Sequence, residues 1–146
     1  MKTYLVITFS VLVLILTGVS LVGAEELYGT WKNEDYNTTD SGPTTGRYAK
    51  LVFNQDGTFS SYNTTTTKTM RWTGSFEITE KRTDTDGNIW YKFTSTIKGA
   101  FGTESHFWTG CISNSGKTIE YGFSSSDYPN EKDLKGSYYY GKLGRE

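Results

Sequence analysis

From Met70 to Ile78 apolar and polar residues alternate, with Met70, Trp72, Phe76 and Ile78 set against Arg71, Thr73, Ser75 and Glu77. A period of two is that of an extended chain whose successive side chains point to opposite faces, so this stretch reads as a strand with one buried and one wet face. Ile89, Tyr91, Phe93 and Ile97 repeat the pattern against Lys92, Thr94, Thr96 and Lys98. Between the two runs lies Asp84-Thr85-Asp86-Gly87-Asn88, whose Asp-Gly step accepts the positive φ of a hairpin turn. Leu27 to Asn33, Arg47 to Asn54, Thr58 to Thr64, Glu104 to Ser113, Lys117 to Phe123 and Ser137 to Leu143 follow the same grammar, giving eight strands and no convincing helix. Tight turns are expected at Asp56-Gly57 and Ser115-Gly116, and long connections from Glu34 to Gly46 and from Ser124 to Gly136.

An antiparallel meander of this size closes most economically on itself, because closure removes the edges a flat sheet offers to other chains. The fold class expected is all-β, an eight-stranded antiparallel up-and-down barrel. A sandwich of Greek keys stays open, since strand count and alternation do not fix connectivity. The material for a core is aromatic: all four tryptophans and all but one of the eleven tyrosines lie after position 24. Large rings bury about 150–250 Å² each, enough to hold a domain whose aliphatic content is low.

Residues 1–24 read as an export signal: Lys2 at the start, an apolar run from Tyr4 to Leu16, and small residues at Val22-Gly23-Ala24 where a signal peptidase would cut. An uncleaved anchor is the alternative, as Tyr4 to Val22 is just long enough to cross a bilayer. With cleavage after Ala24, residues 25–146 form one barrel domain, periplasmic or extracellular, with no stable membrane insertion. Asn37-Thr38-Thr39 and Asn63-Thr64-Thr65 fit the glycosylation acceptor pattern. The formal charge is −1 for the 146-residue chain, so no basic field draws in nucleic acid. The single cysteine, Cys111, makes no internal disulfide and leaves a cysteine-based zinc site without ligands.

Leu27-Tyr28-Gly29-Thr30-Trp31 puts a Gly-x-Trp on the opening strand of an eight-strand meander, and this resembles the lipocalin-like, or calycin, barrels. Lys50 to Phe59 is similar to the hairpin between the second and third strands of short bacterial lipocalin-like domains, and Gly74 to Ile78 and Gly87 to Tyr91 are similar to the strands that follow. The resemblance implies that Trp31 plugs the closed end, that Gly29 lets the first strand bend, and that a cation packs over the tryptophan, with Arg145 or Lys142 as candidates. It also implies a small hydrophobic ligand in the barrel mouth.

Catalysis asks for a positioned base beside a nucleophile, and His106 is the sole histidine, so an enzyme is not expected and no cofactor is assigned. His106, which shares a face with Trp108, reads as an exposed or hydrogen-bonded residue in preference to a haem ligand, and Cys111 as a buried small apolar group. The oxygen-rich turn Asp84 to Asn88 lacks the helices and final glutamate of an EF-hand loop. The functional signal is the inner face: Trp31, Leu51, Phe53, Phe59, Met70, Trp72, Phe76, Ile78, Tyr91, Phe93, Phe107, Ile119, Tyr121, Phe123 and Tyr138. From it Trp72, Phe76, Tyr91, Phe93, Phe107, Tyr121 and Tyr138 are the expected ligand-binding residues, ring walls whose hydroxyls fix orientation. The same residues are also what would fill a barrel. The rival function is therefore an envelope or surface module with a filled barrel that binds protein or glycan through its long loops.

Overall fold

The computed structural model describes residues 24–33, 48, 50–62, 70–99, 102–137 and 139–146. Strands follow in chain order: β1 (Gly29–Lys32), β2 (Lys50–Phe53), β3 (Thr58–Tyr62), β4 (Met70–Thr83), β5 (Ile89–Gly99), β6 (Gly102–Ile112), β7 (Thr118–Ser124) and β8 (Tyr139–Arg145). Each pairs antiparallel with the next, and β1 closes on β8 through Trp31↔Arg145 and Lys32↔Gly144. That pairing settles the open alternative: the sheet is a closed up-and-down barrel, not two facing layers. Residues 1–23, both Asn-x-Thr acceptors, the Met70 side chain and Tyr138 lie outside the described residues.

Local chemistry explains the turns. Gly57 and Gly87 sit at φ 79° and 82°, where only glycine is comfortable. The Asp84 carboxylate accepts from the Asp86 and Asn88 amides, both at 2.9 Å, and from the Trp90 indole at 2.9 Å. These donors, the Trp90 indole first, hold its pKa down at about 2. Its oxygens are thus committed to ordering the hairpin. Asn114 ties this turn to the β6–β7 turn, its side-chain amide donating to the Asp86 carbonyl at 3.1 Å.

β4 runs on past the alternating stretch because of a bulge at Thr79. Ile78 pairs with Phe93, but Glu80 pairs with Lys92 and Lys81 with Tyr91. One extra residue reverses the facing of everything after it, and so turns Lys81 to the same face as Tyr91. There Lys81 Nζ and the Tyr91 hydroxyl both donate to Glu26 Oε2, at 2.8 and 2.7 Å. The hydrogen bond from Lys81 is the largest influence on the Glu26 carboxyl, which lies at about 2 against an ordinary 4.5. A depressed carboxyl pKa stabilises the fold above pH 4.5, and this contribution fades as pH falls toward 2. The Glu26 side chain is 40% exposed, and solvent screening leaves about 1 kcal/mol of the effect. Urea unfolding across this window should show a falling limb that Glu26→Gln makes shallower, Asp84 supplying part of the remainder; an unchanged limb would assign all of it to other carboxylates.

Trp31 closes the same end. It is fully buried, its indole donates to the Leu27 carbonyl at 2.8 Å, and the Arg145 guanidinium stands 4.5 Å above its ring while donating to the Glu26 carbonyl. Of the two candidates for this cation, Arg145 takes the place. Lys142 points outward to Glu120 at 3.0 Å.

The β7–β8 connection is not a free loop but a strap across the outside of the barrel. It includes a short 3-10 segment, Glu131–Gly136, capped by Asn130, with Leu134 buried. The Tyr128 hydroxyl meets Thr79 Oγ1 at 2.9 Å, Thr109 Oγ1 donates to the Pro129 carbonyl at 2.8 Å, and Glu131 takes Arg82. A Cβ on Gly122 would stand 2.6 Å from Ser137 Oγ, so glycine there lets the strap lie close.

Candidate functional site

Strands that run up and down place the hairpins 54–57, 84–88 and 113–117 at the Trp31 end, and the connections leading into β2, β4, β6 and β8 at the other. The lower and middle barrel is packed with rings. Phe53 lies 5.2 Å from Phe76 and 5.5 Å from Phe93, edge to face, and Phe93 stacks on Trp108 at 5.3 Å. Trp108 stacks in turn on Phe123 at 4.3 Å, and its indole donates to Ser95 Oγ at 2.9 Å. The Tyr91 hydroxyl is turned down to Glu26, and burial first, then this acceptor, raises its pKa.

Toward the upper end the walls form a cage from Trp72, His106, Trp108, Tyr121 and Phe123. Its centre holds Tyr48, a residue outside every strand and only 3% exposed. The Tyr48 ring stacks on Phe123 at 5.5 Å and 14° and on Trp108 at 6.0 Å and 20°, and meets Trp72 edge-on at 5.9 Å. Its backbone amide donates to the Tyr121 hydroxyl at 3.2 Å. Tyr121 reaches this position because it lies over Gly141, where a Cβ would come within 2.4 Å of the phenol. His106, 8% exposed, sits between Trp72 at 5.5 Å and Phe123 at 5.3 Å, which excludes the exposed alternative, and its Nε2 lies 3.8 Å from Glu104 Oε2.

The expected site residues therefore divide. Trp72 and Tyr121 meet at the cage. Phe76 and Phe93 meet each other lower down, and Tyr91 belongs to the closed end. Phe107 is a correction: it faces outward and packs on Tyr128 at 5.2 Å, while His106, Trp108 and Ile112 are the buried side chains of β6 on the inner face. The error has a physical cause. Under the strap the outer face of β6 is itself dry, Thr109 being 0% exposed, so apolarity no longer marks the inner face. Tyr138 lies outside the described residues; its neighbour Tyr139 stacks on Phe123 at 4.6 Å. Tyr48, Trp108 and His106 are the site residues that the alternation argument missed, and only Trp108 carried a signal, its size.

Two cavities lie on the rim and outer wall. One of about 610 Å³ opens between the strap and the upper rim, bordered by Phe123, Tyr128, Pro129 and Tyr139 with Ser and Asn groups. Another, of about 440 Å³, separates the 3-10 segment from Trp90 and Cys111. Burial pushes the Cys111 thiol up to about 11, which keeps it protonated. Among the described residues no group of three or more His, Cys, Asp or Glu is placed to hold a metal ion. Compared with protein-family models, curated proteins and solved structures, the chain has no match.

Proposed function

We propose that this chain is an exported lipocalin-like binding protein, without catalytic activity, that takes a small planar apolar molecule in the upper cage, in the place Tyr48 holds. The observation that carries the reading is the origin of the occupant. The cage walls belong to strands, but the ring filling them comes from a connection. A stack held at 14° to 22° by Phe123, Trp108 and Tyr121 suits any flat apolar ring of similar size. Arg145 over Trp31, behind a Gly29 at φ 123°, supports the lipocalin-like assignment.

A ligand exchanging with Tyr48 trades one buried ring for another, and so competes with a tethered ring whose effective concentration is on the order of millimolar. Fluorescence titration of the exported protein with fatty acids, retinoids and haem should show saturable tryptophan quenching. Tyr48→Ala should bind the same molecule about 10–100-fold more tightly, and Trp72→Ala should weaken it. The reading fails if the unaltered protein gives no response across the panel while Tyr48→Ala still binds, because the barrel is then permanently filled. That outcome favours the second reading, a surface module. Its specific support is the rim cleft, where Phe123, Tyr128 and Tyr139 stand beside Ser124, Ser137 and Asn130, a mixture suited to a protein or glycan contact.

A further inference from the structure

We infer that export processing leaves Ala24 on the mature chain and that the leader is cut after Ser20, not after Ala24; the inference rests on the export reading. Ala24 is built into the closed end. It is 1% exposed, packs in the main core with Leu27 and Trp31, and its carbonyl accepts the Leu27 amide at 2.8 Å and the Tyr28 amide at 3.1 Å. These two bonds close the turn that sets the Leu27 carbonyl under the Trp31 indole and Glu26 beside Lys81.

A cut after Ala24 would remove that carbonyl and leave the α-ammonium of Glu25 in its neighbourhood. Two amide donors would lose their acceptor, one on Leu27, which is 0% exposed, and a positive charge offers them nothing in exchange. Sequence upstream supplies a better position. Gly18 and Ser20 put small residues at both subsites that the peptidase reads, where a cut after Ala24 presents Val22 at the outer one. The apolar run ends at Leu16, so Thr17-Gly18-Val19-Ser20 is already the polar, small-residue tail of a signal. Peptide hydrolysis between Ser20 and Leu21 consumes one water and releases the Ser20 carboxylate and the Leu21 amine.

The test is expression of the full chain in an exporting bacterial host, followed by intact mass and N-terminal sequencing of the product outside the cytoplasm. A start at Leu21 supports the inference, and a start at Glu25 overturns it. A chain beginning at Met1 outside the cytoplasm overturns the cut alone, whereas a chain found only in the cytoplasm overturns the export reading, which separates the two failures. As a second measurement, amide exchange at Leu27 and Tyr28 is compared between chains beginning at Leu21 and at Glu25. The shorter chain should exchange at least about 10-fold faster at both amides; equal protection would remove the structural ground of the inference.

Discussion

Replacing Trp108 with alanine should cost this domain about 3–5 kcal/mol and lower its melting temperature by more than about 10 °C. Few changes remove so much from one place. The indole is 1% exposed and lies against Phe93 at 5.3 Å, Phe123 at 4.3 Å and Tyr121 at 5.5 Å. Its truncation leaves a cavity that these rings cannot close without leaving the strands that carry them. The Ser95 hydroxyl, 0% exposed, also loses the indole hydrogen bond. Trp108→Phe separates the two contributions: it keeps most of the packing and should cost about 1–2 kcal/mol. Urea unfolding followed by circular dichroism reads both. A loss below about 1 kcal/mol for the alanine variant would mean that the ring stack is not what holds the barrel.

Gly74→Ala should be of similar size for the opposite reason, excess atoms where Trp108→Ala removes them. An ideal Cβ at Gly74 would stand 2.2 Å from the carbonyl oxygen of Thr96 and 3.1 Å from the ring of Phe59. The nearer atom is backbone of the adjacent strand, so relief requires β4 and β5 to part where Gly74 pairs with Ile97. The expected cost is about 3 kcal/mol or more, with lost soluble yield as a first sign. Gly110→Ala is the matched control on β6. Its Cβ would find its nearest neighbour, Ile119 Cδ1, at 3.6 Å, ordinary contact, and should change stability by less than about 1 kcal/mol. Similar results for the two glycines would contradict the close approach of β4 to β5.

How much of the barrel could be read in advance depends on what each strand faces. In β4 and β5 the wet side is Thr, Ser, Lys and Glu, and the alternation gave the inner residues Trp72, Phe76, Ile78, Tyr91 and Phe93 correctly. The facing failed in β6, where Phe107 and Thr109 turn outward beneath the strap and Gly110 turns inward. No count along β6 contains the information that Tyr128 and Pro129, about twenty residues downstream, return to cover it. Residues at the Thr79 bulge escaped for a related reason. A bulge inserts one residue without any composition mark, and with it Lys81 moves to the face of Tyr91 and meets Glu26.

The candidate site was legible only in three of its walls, Trp72, Tyr121 and Phe123. Aromatic strand residues announced an interior lined with rings, but Tyr48 fell within the expected strand Arg47 to Asn54 on the parity opposite to Leu51 and Phe53; β2 begins only at Lys50, and the ring preceding it turns into the cage instead.

By itself the chain determined its strands and its hairpin turns, because extended periodicity and Asp-Gly chemistry act within a few residues of one another. Tertiary structure alone decided that β1 would meet β8, that the strap would dry the outside of β6, and that Tyr48 would occupy the cage. Each of those contacts joins residues tens of positions apart, and its stability comes from surface buried in common, a quantity that neither partner carries alone.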